Sequence, residues 1–167
     1  MTSMAFADIC SEELLSKLKT SPKQVTNWIA KNRKKPSHMP SHIEWTCEAI
    51  SCDGDSFIIY MRQNISLEDD FSCGIAWRSP DGEQITIARY NGSSHDHINK
   101  SDGTEFVQQC HIHQATVEAA QRGWSLENHA ILANEYTCLD EAKLLLADDY
   151  VISGLVPNVN QLPLSWT

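Results

Sequence analysis

Four segments of alternating apolar and polar residues lie between residues 43 and 90, and they constrain the fold more than any other feature of this 167-residue chain. The segments run Ile43–Ala49, Phe57–Arg62, Phe71–Trp77 and Gln84–Tyr90. Side chains of a strand point alternately to opposite faces, so this period indicates half-buried strands. Two turn sequences separate them in pairs, Asp53–Gly54 and Pro80–Asp81–Gly82. The pattern predicts two antiparallel hairpins.

Other segments extend this core. Phe106–His113 reads as a fifth strand, and helical spacing predicts helices over Glu12–Lys19, Pro22–Lys34, Gln114–Arg122 and Asp140–Asp148, the last with Thr137 as its cap. We therefore expect an α+β fold, an antiparallel meander sheet of about five strands with helices on one face and an N-terminal helical appendage. The expected divisions are a basic helical segment (1–42), the α+β core (43–152) and an irregular tail (153–167).

Composition places the chain among ordinary globular proteins, with 41% hydrophobic and 21% charged residues. No apolar run approaches the roughly 20 residues of a membrane-spanning helix, and the N-terminus lacks signal-peptide features. We expect a cytoplasmic protein without membrane association. The six scattered cysteines form no C-x-x-C pair and are expected to be reduced, structural thiols.

Charge is divided unevenly along the chain. Residues 1–35 carry seven basic and three acidic side chains, whereas the rest carry six and nineteen. The predicted helix from Pro22 has Gln24, Asn27, Lys31 and Arg33 on its polar side. This helix either contacts nucleic acid, with Lys31 and Arg33 as binding residues, or docks on the sheet through Trp28 and Ile29 while its lysines face water.

Two histidine pairs form the strongest functional signal. His95–Asp96–His97 and His111–Ile112–His113 place four of the seven histidines within nineteen residues. An H-x-H on a strand points both imidazoles to one face. Histidine titrates near neutrality and is the commonest metal ligand, so the window is the candidate site.

Two chemistries suit this window. In the first, His97, His111 and His113 act as acid and base on RNA without a cofactor, and Arg89 holds the phosphate. The residues expected to bind or orient the ligand are His95, Asn99, Asp102 and Thr116. In the second, the four histidines bind zinc, with Asp96 or Asp102 behind them. A purely structural role in capping the loop stays open, and His38, His42 and His129 are interpreted as structural.

The stretch from Arg89 to Thr104, followed by Cys110–Thr116, resembles a group of small bacterial proteins of uncharacterised function. Their pattern has a strand ending in Arg, an Asn–Gly turn, a His and an Asn near Asp–Gly, and then His–apolar–His. The resemblance covers roughly residues 43–152. Ser94 and Cys110 stand where the usual pattern has proline. The resemblance implies an accessory role in toxin–antitoxin or phage-defence loci, and it carries over no catalytic residue.

Three functions follow as expectations. The first is a toxin-like, metal-independent ribonuclease, whose partners would be RNA and a cognate protein. The second is an inhibitory or antitoxin-like binding protein that uses its acidic surface. The third is a zinc-binding domain.

Overall fold

The computed structural model describes residues 5–31, 42–125 and 128–155. Its helices are α1 (Phe6–Ile9), α2 (Glu12–Thr20), α3 (Val117–Gln121) and α4 (Leu139–Asp149). Its longer strands are β1 (Lys23–Lys31), β2 (His42–Ser51), β3 (Ser56–Asn64), β4 (Phe71–Arg78) and β5 (Gln84–Asn91). The shorter strands are β6 (His97–Ile98), β7 (Glu105–Phe106), β8 (His111–Gln114), β9 (Ala130–Leu132) and β10 (Ile152–Ser153).

The two predicted hairpins form the centre of a mostly antiparallel sheet. Strands β2 to β5 are consecutive neighbours, which confirms the four strands read from the alternating pattern. The sheet is larger than the five strands expected, because it has eight, in the order β10-β1-β2-β3-β4-β5-β8-β9. Only the pairing of β1 with β10 is parallel.

The predicted helix Pro22–Lys34 is wrong, since residues 23–31 form strand β1. This strand pairs with β2 along its length, with one bulge between Val25 and Asn27. Val25, Thr26, Trp28 and Ile29 are β-branched or aromatic, and such side chains favour strands once a neighbouring strand is available. The N-terminal segment therefore contributes a strand to the sheet after its helices α1 and α2, and residues 23–31 do not form the helix that was expected to contact nucleic acid. Arg33 lies outside the described residues.

The predicted fifth strand, Phe106–His113, is divided in two. Glu105–Phe106 pairs with His97–Ile98 in a separate small hairpin, and His111–Gln114 joins the edge of β5. Gln108, with φ of 48°, lies between them and breaks the extended run. The single strand expected from the pattern therefore becomes a covering hairpin and a sheet strand.

Three of the four predicted helices are present. Helices α2 and α4 match the expected ranges closely. Helix α3 is shorter than expected and begins after Thr116. The Thr116 hydroxyl caps this helix by accepting from the Ala119 amide at 3.2 Å. The cap of α4 is Cys138 rather than Thr137. Thr137 instead donates its amide and hydroxyl to the Glu141 carboxylate, at 2.7 and 3.0 Å.

The two faces of the sheet have different characters. One face carries Phe57, Ile59, Ile75 and similar side chains and packs against α2 and α4, with Leu146 fully buried there. Burial of each such side chain contributes about 1.5–3 kcal/mol to the stability of the fold. The opposite face, which we call the polar face, is defined by the cross-strand rows Thr46–Tyr60–Gly74–Arg89–His113 and Glu44–Arg62–Ser72–Asn91–His111.

The six cysteines are all free thiols. Cys10, Cys47 and Cys73 are buried, and burial raises the pKa values of Cys47 and Cys73 to about 12, so these thiols are unreactive. Cys52 and Cys138 are exposed. Within the described ranges, no helix has the length and apolarity to span a membrane.

Candidate metal centre

Strand β8 places two histidines of the window on the polar face. His111 lies opposite Asn91 and His113 lies opposite Arg89 in the antiparallel pairing with β5. Directly opposed residues of an antiparallel pair have their side chains on the same face. Both imidazoles are buried, with 0% and 3% of His111 and His113 exposed.

The β6–β7 hairpin brings a third histidine over these two. The His97 ring lies 4.4 Å from that of His113 and 5.4 Å from that of His111, measured between centroids. Phe106, the strand partner of His97, is 5.7 Å from His111 and helps to exclude water. His97, His111 and His113, which we call the histidine triad, therefore converge although they come from two separate segments.

Asn99 fixes the hairpin and the orientation of His97. Its side-chain Nδ2 donates to the Ala130 carbonyl and its Oδ1 accepts from the Ala130 amide, both at 2.8 Å. These two bonds establish which end of the amide is the oxygen. The Nε2 of His97, 3.1 Å from that oxygen, must therefore carry a hydrogen and donate it. In the neutral ring, Nδ1 then carries the free lone pair.

A backbone carbonyl orients His111 in the same way. Its Nδ1 lies 2.8 Å from the Gln109 carbonyl oxygen, which can only accept, so Nδ1 is the donor. The lone pair of His111 is then on Nε2, where Asn91 Nδ2 approaches to 3.3 Å. A hydrogen bond from one ring nitrogen to a carbonyl or amide oxygen is the usual support of a metal-binding histidine.

The triad could hold a metal ion. One ligand atom from each ring lies within 4.8 Å of the others, and in the described part of the chain this is the one such group of His, Cys, Asp or Glu. A tetrahedral zinc site with bonds of about 2.0–2.1 Å requires nitrogens about 3.4 Å apart, so the rings must draw together by up to about 1.4 Å. His97 stands on a two-stranded hairpin and is the least buried of the three, so it is the ring with most freedom to move.

Burial also favours the neutral form of the His111 imidazole. Burial is the largest cause and lowers the pKa of His111; the bond to the Gln109 carbonyl comes next and opposes it, and His95, His97 and Arg89 each add a smaller lowering effect. A neutral imidazole binds metal, whereas a general acid at neutral pH must be protonated. The environment of His111 therefore suits coordination better than proton donation.

The other two residues expected beside the triad are close to it. Arg89 is the cross-strand neighbour of His113. His95 is exposed and lies edge-on to His111, with ring centroids 5.3 Å apart, but it is outside the group that could share one ion. The structure thus brings together three of the four histidines as possible ligands and leaves the fourth at the rim.

The remaining expected residues lie elsewhere. Asp102 and Thr116 line a separate cavity of about 300 Å³ together with His129. Asp102 accepts from the Thr104 amide within the hairpin turn, and Thr116 caps α3, so both have structural partners. His42 lies 2.8 Å from Asp70. Lys31 ends β1, and Arg33 and His38 are outside the described residues.

One supporting residue was missed from the sequence. Asn91, 1% exposed, contacts His111, and its carbonyl accepts from the Tyr136 hydroxyl at 2.9 Å. Asn91 was interpreted as part of a turn. Asn91 follows Arg89 by two residues on a strand, so both side chains lie on one face. This two-residue alternation was the signal that could have identified Asn91.

Comparison of the chain with protein-family models, curated proteins and solved structures finds no match. The resemblance to small bacterial proteins therefore stays a prediction, and the argument for function depends on the geometry of the site itself.

Proposed function

We propose that the protein binds one zinc ion through His97, His111 and His113 and uses it for hydrolysis. The observation that carries this proposal is the convergence of three largely buried imidazoles whose ligand atoms lie within 4.8 Å. Structural zinc sites usually take four protein ligands, whereas catalytic sites take three and leave one position for water. Three histidines match the second type.

The chain's own residues supply the other requirements of such a site. The bonds of His97 to Asn99 and of His111 to Gln109 hold two rings, each with its lone pair on the other nitrogen. On His111 that nitrogen, Nε2, lies 3.3 Å from Asn91 Nδ2, so an ion bound there would replace this contact. Phe106 and the hairpin limit access of water. Zinc, when bound, lowers the pKa of its water ligand to about 7 and so provides a nucleophile at neutral pH.

A zinc titration tests the proposal. The purified protein, stripped of metal, is titrated against a chromophoric chelator, and we expect one equivalent to bind. His97→Gln and His111→Ala should each weaken zinc binding more than about 100-fold, since loss of an outer hydrogen-bond partner alone costs about 10–100-fold. His129→Ala, outside the triad, is the matched control and should bind as the wild type does. Equal affinity in all four proteins would contradict the proposal.

A second candidate is the metal-independent ribonuclease of a toxin–antitoxin locus, with His97, His111 and His113 as proton-transfer groups. The observation that favours it is the position of Arg89 directly opposite His113, where a guanidinium would hold a phosphate. The lowered pKa of His111 weighs against that residue as the acid.

Cleavage of a labelled RNA separates the two candidates. Activity that survives saturating chelator but is lost in the His111→Ala, His113→Ala double variant supports the metal-independent enzyme. Activity that is abolished by chelator and restored by zinc supports the zinc enzyme.

A further inference from the structure

A second cavity adjoins the histidine triad on the polar face. It has a volume of about 270 Å³, and its polar walls come from Glu44, Thr46, Tyr60, Arg62, Ser72 and Arg89. Arg89 belongs to this wall and is also the strand neighbour of His113, so the cavity lies beside the triad on the same face of the sheet. We call it the arginine groove.

The groove holds two guanidinium groups and one carboxylate. Arg62 lies opposite Ser72, and Arg89 lies opposite Gly74, two residues further along β4. Glu44 faces Arg62 from strand β2, at the end of the row away from the triad. The positive charge is therefore greatest on the side toward the histidines.

Hydroxyl groups line the floor between the arginines. Gly74 has no side chain, and the Tyr60 ring and hydroxyl lie directly over it, in the space that a Cβ would fill. Thr46 and Ser72 contribute further hydroxyls from the neighbouring strands. Guanidinium groups beside hydroxyl donors are the combination that proteins use to bind phosphate oxygens.

We infer that the arginine groove binds the phosphate group of an ester substrate and presents it to the zinc site. This inference rests on the proposed function for the identity of the reaction, but the groove itself is built from other residues. Its volume of about 270 Å³ lies just below the range of small-molecule sites, about 300–1,000 Å³. The guanidinium and hydroxyl groups of its lining suit phosphate oxygens, and contacts to phosphate carry no sequence information, so we expect recognition to depend on charge and not on base sequence.

Calorimetric titration with inorganic phosphate at low salt tests the inference, on zinc-loaded and on metal-free protein. Arg62→Gln and Arg89→Gln should each weaken phosphate binding about tenfold or more, as expected for loss of a charge-assisted hydrogen bond. Arg78→Gln is the matched control, because Arg78 lies at the end of β4, between the strands of the two groove arginines, but six residues from Ser72, about 20 Å along the strand. Its phosphate affinity should equal that of the wild type.

The outcomes separate the inference from the proposed function. If the protein binds zinc but both arginine variants keep the wild-type affinity for phosphate, the inferred phosphate site is contradicted and the proposed zinc site is not. If the protein binds no zinc but binds phosphate in a way that depends on the arginines, the proposed zinc site is contradicted and the inferred phosphate site is supported. Arg89→Lys provides a second test that keeps the charge, and it should lose most of the affinity because a lysine cannot bond two phosphate oxygens with a planar fork.

Two further probes distinguish the source of the phosphate. A 5′-mononucleotide offers a terminal phosphate, and a short single-stranded RNA without terminal phosphates offers only diesters. If the mononucleotide binds more tightly, and its binding depends on the arginines, the substrate is a phosphomonoester. If the RNA binds more tightly in this way, the substrate is a phosphodiester. Failure of both to compete with inorganic phosphate overturns the inference.

Discussion

At the scale of single residues, the site depends on groups that contact the imidazoles without being possible ligands. The Asn99 amide, held by both backbone groups of Ala130, determines which nitrogen of His97 carries its hydrogen. The Gln109 carbonyl does the same for His111. These bonds determine the tautomers of two rings before any ion arrives, which lowers the cost of ordering the site, although an ion at His111 Nε2 would still replace the contact with Asn91.

Replacement of Asn99 tests this positioning role. Asn99→Ala removes the acceptor for His97 and both bonds to Ala130, and we expect zinc affinity to fall about 10–100-fold. The measurement is competition with a chelator, carried out beside urea unfolding of the metal-free protein. Lys100→Ala, an exposed neighbour on the same hairpin, should change neither quantity. Unchanged zinc affinity in Asn99→Ala would show that the amide does not orient the ligand.

The residues of the window were identifiable from sequence, but their grouping was not. The H-x-H at 111–113 predicts two rings on one face, as found. The pair at 95–97 is different, because β6 begins only at His97 and the preceding His95 lies outside the strand. Which histidine joins the triad depends on the path of the hairpin, and that path is set by the contact of Asn99 with β9, a strand 31 residues away.

At the scale of elements, β1 shows where periodicity misleads. Val25, Trp28 and Ile29 have helical spacing, yet the segment pairs with β2. A short apolar pattern fits both the helical and the strand period, and the presence of a partner strand determines which structure forms. Lys23 anchors the start of the strand: it is 2% exposed, and its Nζ donates to the carbonyls of Tyr150 and Ser21, both at 2.8 Å, and of Lys19 at 3.3 Å.

Removal of the Lys23 ammonium should destabilise the fold. Lys23→Met keeps the length of the side chain but leaves three carbonyls without their donor, so we expect the free energy of unfolding to fall by about 2–4 kcal/mol. Urea denaturation measures it. Lys17→Met is the control: Lys17 is half-exposed and pairs with Asp55, and such solvent-exposed pairs contribute little to stability. Equal effects of the two changes would contradict the anchoring role.

The same lysine predicts a pH dependence. Burial lowers the pKa of Lys23 to about 8, whereas the unfolded side chain keeps its proton to about 10.5. Between these values the unfolded state binds more protons, so the contribution of this group to stability rises with pH. The wild type should therefore gain stability relative to Lys23→Met from pH 8 to 10.5. A difference that stays constant or shrinks over this range would contradict the prediction.

At the scale of the whole molecule, the sheet separates the hydrophobic core from the candidate site. Its apolar face carries the core with α2 and α4, and its polar face carries the triad and the arginine groove. The alternating pattern predicts two such faces for β2 to β5. It could not predict β9 and β10, because strands of two or three residues have no period of their own and are defined by the partners they meet.

Metal binding should also be visible in global stability. An ion that binds only the folded state stabilises it by about 4 kcal/mol at a free concentration 1,000 times its dissociation constant. Zinc should therefore raise the unfolding midpoint of the wild type, and His97→Gln should abolish most of the increase while the midpoint of the metal-free protein changes little. An equal zinc-dependent increase in both proteins would place the bound ion elsewhere.

X-ray absorption at the zinc K-edge tests the central claim most directly. In protein loaded with one equivalent of zinc, the triad predicts about three imidazole nitrogens and one oxygen or nitrogen from solvent or buffer, at about 2.0–2.1 Å. His97→Gln should reduce the imidazole scattering to two rings. A spectrum of six oxygen ligands without imidazole scattering would contradict the assignment of His97, His111 and His113 as a zinc site.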